Sequence, residues 1–281
     1  MECPTAETKT ALAQRPFFPV PETRRPDNSL HSSRICAHRG ASGRYPENTR
    51  AAFDAAARVG VGWIETDIQQ LADDELVIFH DEVLGRTTGD HGDIREMAWP
   101  AVSALDVGSW KGPEFAGEHP LRAEDLIRWQ AEAPARPAII WEIKCDENPV
   151  EAERIACALA QKIQQHEGHR CVVSSFNRDA LLAIRPLLPK TPIALIAEAL
   201  PPDAIDFCTD HALEGLHLDG HQLSAESAQQ VVSAGLQLRC YTINSEDEAM
   251  RLVSMGVDVI MTDFPEHFLA DSSSLIPGVS A

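Results

Sequence analysis

The chain has 281 residues and a formal net charge of -19, and 44% of its residues are hydrophobic. This length suits one large domain, such as a barrel of roughly 250 residues, and the hydrophobic fraction is ordinary for a globular protein. The negative charge disfavours nucleic acid and anionic membrane surfaces as partners, because both would repel the chain. An anionic small molecule is still compatible with the sequence, since local positive charge at a site can overcome the global sign.

The ends of the sequence and its cysteines favour a cytoplasmic location. No apolar run approaches the ~20 residues that span a bilayer, and the first residues lack the basic start and apolar core of a signal peptide. The seven cysteines are scattered without a Cys-x-x-Cys pair, which is typical of mostly buried, reduced thiols. Residues 1–33 are polar and proline-containing without periodicity, so we expect a poorly ordered arm before a folded domain over residues 34–281.

From residue 35 onward, short apolar runs alternate with helical stretches. The runs predict nine strands, at residues 35–38, 63–68, 76–80, 138–143, 171–174, 192–197, 215–218, 236–242 and 258–261. Asn177 and Ser224 are placed to cap helices, and Ser245 with Glu248 forms a capping-box pattern. Strands that alternate with helices predict a parallel sheet covered by helices, and a closed TIM (β/α)8 barrel leaves no exposed edge. A doubly wound open sheet is the second choice of fold.

Two features depart from a regular barrel. The link from Ile68 to Leu76 is too short for a crossover helix, so one of the nine runs is not a regular barrel strand. Residues 81–137 are too long for an ordinary loop and contain glycine, proline and tryptophan throughout. We expect this segment to be an insertion after the third strand that lies over one end of the barrel, where a lid would be.

Acidic residues occur in pairs that share one face of a predicted strand. Glu65 and Asp67 are two residues apart on the second run, so both carboxylates project from the same side. They repel each other unless a positive group lies between them, and a hard divalent cation such as Mg2+ or Ca2+ is the simplest such group. Glu142 and Lys144 repeat the spacing on the fourth run. For Glu65 and Asp67 the alternative explanation is one carboxylate in a salt bridge and the other in solvent. For Glu142 and Lys144 it is a structural Glu–Lys pair at the strand end.

Histidines lie at or near the ends of three predicted strands. His38 ends the first run and is followed by Arg39, and His80 ends the third. A lone histidine at a strand end is more often structural than catalytic. Two of them, on a scaffold whose strand ends converge, are candidates for acid–base catalysis. His217 and Asp219 fall at the end of the seventh run on one face, so His217 is a further candidate for lining a pocket.

These residue types together describe a site for phosphodiester chemistry. A phosphodiester is an anion, so its hydrolysis needs charge neutralisation, a proton acceptor for the attacking oxygen and a proton donor for the departing one. The three carboxylates could hold a metal ion as a Lewis acid, and the two histidines could divide the acid and base roles. Arg39 and Lys144 could contact the non-bridging oxygens. The same residue types would also permit aldol or isomerase chemistry.

Seven stretches of the sequence, in order, resemble motifs of the glycerophosphodiester phosphodiesterase family. They are HRGASGRYPENT (38–49), IETDIQ (64–69), VIFHDEVLGRTT (77–88), GSWKGPEFAGE (108–118), WEIK (141–144), VVSSFN (172–177) and YTINSEDEAMRLVSMGVDVIMTDFP (241–265). The likeness extends from about residue 34 to about residue 270 without a large gap. The His-Arg-Gly stretch alone is a weak indication, whereas the ordered set is specific.

The resemblance implies a TIM barrel, one bound divalent metal ion (Mg2+ or Ca2+), and cleavage of glycerophosphodiesters to sn-glycerol 3-phosphate and an alcohol. It implies that His38 and His80 are the acid–base pair and that Arg39 and Lys144 contact the phosphate. The metal ligands that it implies are Glu65, Asp67 and Glu142. Two routes stay open, because either a glycerol hydroxyl of the substrate attacks first, giving a cyclic phosphate, or water attacks directly.

Three residues and one stretch need comment within this resemblance. Tyr241 stands where many relatives have tryptophan, near the expected phosphate or glycerol pocket, so the fit of the substrate is expected to differ. Phe176 matches an aromatic residue of the family pocket, with core packing as the alternative explanation. Residues 119–127 resemble the family pattern only loosely, so Glu124 is not assigned to the site.

The expected substrate is a small, water-soluble diester such as glycerophosphocholine or glycerophosphoethanolamine. Neither nucleic acid nor stable membrane association is expected, and the sequence predicts no particular oligomeric state. A lysophospholipase D-like enzyme that acts at a lipid surface is one alternative, with Trp99, Trp110 and Phe115 of the insertion as candidates for an apolar groove. A non-catalytic binding barrel is the other alternative, against which the presence of every expected catalytic residue argues.

Overall fold

The structure is a computed structural model that describes residues 29–166 and 168–269. Within these ranges, ten strands form one sheet: β1 (Ile35–His38), β2 (Trp63–Gln70), β3 (Leu76–Ile78), β4 (Leu121–Arg122), β5 (Ala138–Ile143), β6 (Cys171–Ser175), β7 (Ile193–Ala197), β8 (Gly215–Asp219), β9 (Gln237–Tyr241) and β10 (Val259–Thr262). Eight strands are parallel, in the order β1-β10-β9-β8-β7-β6-β5-β2, and β1 also pairs with β2. That last pairing closes the barrel. The TIM barrel is therefore confirmed, and the doubly wound open sheet is wrong.

The helices of the described chain cover the outside of the barrel or belong to the insertion. They are α1 (Arg50–Val59), α2 (Trp99–Val102), α3 (Ala123–Glu132), α4 (Pro149–Gln164), α5 (Arg178–Leu187), α6 (Ala204–Asp210), α7 (Ala225–Ser233) and α8 (Glu246–Ser254). Phe53 of α1 and Trp129 of α3 are both buried and pack together, with ring centroids 5.8 Å apart. Apolar faces of this kind, turned toward the strands, form the main core.

The third and fourth strands are not part of the barrel wall. β3 pairs antiparallel with β2, and β4 pairs antiparallel with β3, so the two extend the end of β2 as a small antiparallel layer. The third predicted run is therefore the irregular strand of the nine. The chain then returns to β5 through α3, whose buried Leu126 and Ile127 belong to the main core. The inserted segment therefore ends before β4, earlier than the boundary at residue 137, because a barrel helix lies in that range.

The insertion has a small core of its own, separate from the main one. Its members are Leu71, Val77, Phe79, Leu84, Ile94, Val102, Leu105 and Val107. These side chains join the insertion to β3 and to the turn after β2. The role of this segment as a lid stays a prediction.

The interior of the barrel changes from apolar to charged along the strands. An apolar layer lies inside, formed by Cys36, Ile140, Val172, Ala194, Val259 and Met261. Toward the carboxyl ends of the strands, the register places His38 beside Glu65 and Asp67 beside Glu142. The mouth of the barrel is therefore lined by ionisable side chains that neighbouring strands bring together.

The ends of the chain and the cysteines complete the description of the fold. Residues 1–28 of the predicted arm lie outside the described residues, whereas Ser33 accepts a hydrogen bond from the Trp63 indole at 2.9 Å. Cys36, Cys145, Cys171, Cys208 and Cys240 are free thiols. Cys157 is disulfide-bonded and departs from the expectation of reduced thiols. No helix of the described ranges is long and apolar enough to cross a membrane.

Candidate active site

Three carboxylates meet at the mouth of the barrel. Glu65, Asp67 and Glu142 each place one oxygen within 4.8 Å of the others. They come together because Asp67 pairs with Glu142 across β2 and β5, while Glu65 lies two residues earlier on the same face of β2. Glu65 and Asp67 are almost fully buried, with 3% and 1% of their surface exposed. Three acids in so little space require a compensating positive charge.

Burial and mutual repulsion act differently on these acids. Burial, followed by the charges of Asp67 and Glu142, raises the pKa of Glu65 well above its usual range. Burial also raises the pKa of Glu142. For Asp67 burial acts in the same direction, but the positive charges of Arg39 and Lys144 outweigh it and hold the pKa well below its usual range. Asp67 is therefore the firmly ionised member of the cluster.

The donor set of the cluster fits a hard divalent cation. All three residues offer carboxylate oxygens, which are the ligands that Mg2+ and Ca2+ prefer. Glu65 Oε1 is buried and accepts no hydrogen bond from any residue in the described ranges. An unsatisfied buried carboxylate oxygen is costly, and coordination of a cation would satisfy it. The structure thus brings the three predicted metal ligands into one group that can hold a metal ion.

His38 is held by a carboxylate on the opposite side of its ring from the cluster. Its Nδ1 lies 2.8 Å from Asp263 Oδ1, and its Nε2 lies 3.9 Å from Glu65 Oε2. Burial tends to raise the pKa of Asp263, but the hydrogen bond with His38 outweighs burial and lowers that pKa to about 2. An ionised carboxylate can only accept, so Nδ1 carries the proton of the neutral ring. The Nε2 lone pair of His38 is therefore available on the side of the cluster.

His80 follows β3 and has a similar carboxylate partner. Its Nδ1 lies 2.7 Å from Asp81 Oδ1, and Arg86 donates from Nε to Asp81 Oδ2 at 2.7 Å. His80 lines a small pocket together with Asn48, and the Asn48 amide donates to Asp67 Oδ2 at 2.8 Å, so the histidine lies near the cluster. The antiparallel extension formed by β3 therefore carries the second predicted histidine to the same end of the barrel.

The two predicted phosphate-binding cations lie directly against the carboxylates. The Arg39 Nε is 3.2 Å from Asp67 Oδ2, and the Arg39 backbone N–H donates to Glu65 Oε2 at 3.1 Å. Lys144 Nζ lies 3.2 Å from Asp67 Oδ1 and 2.5 Å from Glu142 Oε1. Burial lowers the pKa of Lys144, but Asp67 and Glu142 outweigh burial and raise it. Both cations therefore stay charged within the cluster, while their contact with phosphate stays a prediction.

Several residues of the site were not selected from the sequence. Glu47 accepts hydrogen bonds from Arg39 NH1 at 2.8 Å and from Arg86 NH1 at 2.7 Å. Asn48 donates from Nδ2 to Asp67 Oδ2 at 2.8 Å, from a left-handed backbone conformation with φ of 59°. Strained backbone of this kind often occurs at functional sites. Both residues belong to the stretch Pro-Glu-Asn-Thr, so the family resemblance contained the signal that strand spacing lacked.

Asp263 and Asn244 were also missed, although both lie within the last family-like stretch. Asn244 donates from Nδ2 to Asp263 Oδ2 at 2.9 Å. Ser42 donates to Asp263 Oδ1 at 3.0 Å. Asp263, which accepts the hydrogen bond from His38, is therefore held by side chains from two loops, the one after β1 and the one after β9. Because His38 and Asp263 are 225 residues apart, only the closure of the barrel brings them together.

Phe176 and Tyr241 meet at the other side of the mouth. Their rings are edge to face with centroids 6.3 Å apart, and the Tyr241 hydroxyl donates to Ala197 O at 3.1 Å. Phe176 is 48% exposed, which does not fit the explanation of core packing. A cavity of about 410 Å³ adjoins this pair. It is lined by Phe176, Arg178, Leu195, Ile196, Ala197, Glu198, Ala199 and Pro201. Phe176 therefore borders open space, and Tyr241 packs against it from the side of the barrel.

His217 is not brought to the carboxylate cluster. It is 1% exposed inside the barrel, with Nε2 3.4 Å from Arg239 NH1, and Arg239 NH2 donates to Glu214 Oε1 at 2.9 Å. Burial, followed by the charge of Arg239, lowers the pKa of His217 well below its usual range. Because Asp219 and not His217 ends β8, the histidine lies one layer below the mouth.

Comparison with known proteins identifies the family. Residues 38–267 match the model of the glycerophosphoryl diester phosphodiesterase family. The chain belongs to this family. A glycerophosphodiester phosphodiesterase of Bacillus subtilis (strain 168) is 31% identical over 263 residues, which cover 86% of this chain and 87% of the relative. A phosphodiesterase from Oleispira antarctica, solved in complex with the product sn-glycerol-3-phosphate, has a TM-score of 0.79 at 30% identity, covering 84% of this chain and 94% of that chain.

Membership of the glycerophosphoryl diester phosphodiesterase family makes the chain a phosphoric diester hydrolase that acts on glycerophosphodiesters. The carboxylate cluster lies at the carboxyl ends of the strands of the described barrel. This is the end at which TIM-barrel enzymes have their active sites. A human lysophospholipase D is also similar, at 24% identity over 265 residues that cover 83% of this chain and 84% of the relative.

Proposed function

We propose that this enzyme hydrolyses water-soluble glycerophosphodiesters to sn-glycerol 3-phosphate and an alcohol, with one divalent cation, Mg2+ or Ca2+, held by Glu65, Asp67 and Glu142. The observation that carries the proposal is the meeting of three carboxylates within 4.8 Å beside His38, whose Nε2 is available. The product bound to the similar Oleispira antarctica phosphodiesterase supports the choice of product.

Each part of the cluster has a chemical task in this proposal. When bound, the cation supplies Lewis-acid stabilisation of the negative phosphoryl group. Arg39 and Lys144 flank the cluster and bind the non-bridging oxygens, where their charges favour the transition state. Asn48 keeps Asp67 in place through its amide hydrogen bond.

The two histidines divide the proton transfers. One takes the proton of the attacking hydroxyl, and the other gives a proton to the departing alkoxide. Asp263 and Asp81 orient the two rings through Nδ1 and stabilise the protonated forms. The route through a glycerol hydroxyl and the route through water both require one histidine as proton acceptor and the other as proton donor.

Release of glycerol 3-phosphate from glycerophosphocholine and glycerophosphoethanolamine tests the proposal. The purified protein is assayed with Mg2+, with Ca2+ and with EDTA. Release that depends on the metal and stops with EDTA is expected, and the more active ion identifies the working metal. Absence of release with both ions and both diesters would contradict the proposal.

The lipid alternative is tested by the same assay with micellar lysophosphatidylcholine. Trp110 and Phe176 are exposed by 39% and 48%, and the similarity to a human lysophospholipase D favours testing it. Phe115 instead packs against Tyr45, with ring centroids 5.5 Å apart, and Trp99 packs on the core of the insertion. We therefore expect faster turnover of the soluble diesters. Faster turnover of the lysophospholipid would favour the alternative.

The cytoplasmic location and the absence of nucleic-acid and stable membrane partners stay predictions from the sequence. They agree with a water-soluble diester as substrate, because the enzyme can bind such a molecule from solution without contacting a membrane.

A further inference from the structure

The insertion contributes one basic side chain, Lys111, to the mouth of the barrel. Its Nζ donates to Ser42 O at 2.6 Å, and Ser42 Oγ donates to Asp263 Oδ1 at 3.0 Å. Asp263 in turn holds His38. The ammonium group of Lys111 therefore lies beside the loop that follows β1, whose Ser42 contacts Asp263, although Lys111 is far from both His38 and Asp263 in the sequence.

Packing of the insertion fixes where Lys111 lies. The Phe115 ring meets the Tyr45 ring edge to face at 5.5 Å, so the insertion is attached to the loop that follows β1. At Gly108 an added Cβ would lie 1.9 Å from Phe115 O, so the turn before Lys111 requires glycine. The lysine is therefore presented by an anchored turn.

The other basic side chains around the mouth are already neutralised by acids. The pairs are Arg39 with Glu47 and Asp67, Arg44 with Glu266, Arg86 with Glu47 and Asp81, and Lys144 with Asp67 and Glu142. Lys111 has no carboxylate oxygen within 4.0 Å among the described residues, and its only hydrogen bond there is to the neutral carbonyl of Ser42. An ammonium group has three donors, so two N–H groups of Lys111 remain beyond the one that Ser42 O accepts.

We propose that Lys111 is a further substrate-binding residue, which contacts the phosphate of the diester and of its product from the side of His38. The proposal rests on the proposed function for the identity of the anion. Arg39 and Lys144 share their charges with carboxylates of the cluster, whereas Lys111 offers the phosphate an additional positive group that has no carboxylate oxygen within 4.0 Å among the described residues. Ammonium–phosphate contacts are charge-assisted, and each strengthens binding substantially.

A different role for Lys111 would be to position the Ser42–Asp263–His38 chain without touching the substrate. The two roles predict different kinetics. Loss of a phosphate contact in both the ground state and the transition state raises KM and weakens product binding, whereas misplacement of His38 lowers kcat at unchanged product affinity.

Binding of sn-glycerol 3-phosphate to the full chain, measured by calorimetry with the divalent ion present, separates the two roles. We expect Lys111→Met to weaken this binding about tenfold or more, the order of one charge-assisted contact, and Lys111→Arg to stay within about threefold of the parent. Lys190→Met is the matched control, because Lys190 is exposed before β7, at the opposite end of the barrel, and its loss changes the net charge equally. Glycerol, which lacks the phosphate, should bind all four proteins alike.

The outcomes distinguish this inference from the proposed function. If Lys111→Met binds sn-glycerol 3-phosphate as the parent does, or loses affinity for glycerol equally, the inference is overturned. Weakened binding in Lys111→Met, in a parent that does not release glycerol 3-phosphate from diesters, would support the phosphate contact and contradict the proposed function. Unchanged melting temperatures of the variants would exclude misfolding as the cause.

Discussion

At the scale of single residues, the two histidines of the site have the same arrangement. Each ring presents Nδ1 to an aspartate, at 2.8 Å in His38 and 2.7 Å in His80, which leaves Nε2 for proton transfer. Two separate segments supply these aspartates, because Asp81 follows His80 directly whereas Asp263 follows the last strand. Each carboxylate sets the tautomer of its ring, which is a positioning role.

The His38–Asp263 pair leads to a kinetic prediction. We expect His38→Ala to lower kcat by about 10²- to 10⁴-fold, the usual contribution of a general acid or base, with little change in metal binding. Asp263→Asn should lower kcat less and alter the pH profile, because Asn can present either an acceptor or a donor to Nδ1. Turnover of glycerophosphocholine across pH measures both. An unchanged kcat in His38→Ala would remove its acid–base role.

The spacing of residues predicted part of this site and missed another part. Glu65, Asp67 and Glu142 were predicted because a two-residue spacing on a strand places side chains on one face. The register of the barrel then places Glu142 beside Asp67 on the neighbouring strand. Asp263 and Glu47 follow no such spacing, since they lie in loops and meet their partners only through the closed fold. Loop conformation depends on tertiary contacts that periodicity does not encode.

At the scale of elements, helix caps show where local patterns suffice and where they fail. Asn177 and Ser224 accept hydrogen bonds from the backbone N–H groups of Ala180 and Ser227, so both predicted caps are confirmed. Ser245 makes no side-chain capping bond to α8, and the predicted capping box is wrong there. A hydroxyl before a helix can cap it only if the rotamer and the preceding loop allow the bond, and the sequence pattern alone does not fix either.

This difference leads to a paired prediction on stability. Ser224→Ala should destabilise the protein by about 1 kcal/mol, which corresponds to a fall in melting temperature of about 2–4 °C for a chain of this size. Ser245→Ala is the matched control at another helix start and should change the melting temperature much less, because no capping bond is lost. Thermal unfolding followed by circular dichroism measures both. Equal shifts in the two variants would contradict the assignment of caps.

The antiparallel extension shows how a short link changes the topology. The link between β2 and β3 excluded a crossover helix from the sequence alone, and the structure confirms this, because β3 pairs antiparallel with β2. The position of α3 was missed, since it follows a long irregular segment and begins directly after the two-residue β4. A strand of two residues gives no periodic signal.

At the scale of the whole molecule, one histidine outside the site couples stability to pH. His169 Nε2 accepts a hydrogen bond from the Trp141 indole at 2.9 Å, and its Nδ1 lies 2.5 Å from Gln130 Oε1. This neutral ring bridges β5 and α3 on the outer side of the barrel. Burial, followed by the charge of His166, lowers the pKa of His169 to about 4.

The lowered pKa gives the sign of the effect. Between pH of about 6.5, the usual pKa of histidine, and pH of about 4, the unfolded chain binds a proton at His169 that the folded chain does not. The contribution to stability is therefore complete above that window and is lost as the pH falls through it. We expect the melting temperature of the parent to fall more steeply over this window than that of His169→Gln. Parallel curves for the two proteins would contradict the prediction.

The negative charges of the molecule and of its site both oppose the binding of an anionic substrate. The chain carries -19 overall, and its mouth gathers Glu65, Asp67 and Glu142, yet the substrate is an anion. Arg39 and Lys144 offset part of this negative charge, and a divalent cation would offset more. Substrate binding in this account therefore also depends on the metal.

Calorimetric titration of Mg2+ and of Ca2+ into protein stripped with EDTA, with glycerol 3-phosphate release measured on the same samples, tests the carboxylate cluster most directly. We predict one ion bound per chain, release that returns in proportion to occupancy, and loss of both in Glu65→Gln and Glu142→Gln, which keep the size of the side chains. Lys190→Met, far from the cluster, should behave as the parent. Full release from the stripped protein, or parent-like release in either Gln variant, would contradict the account.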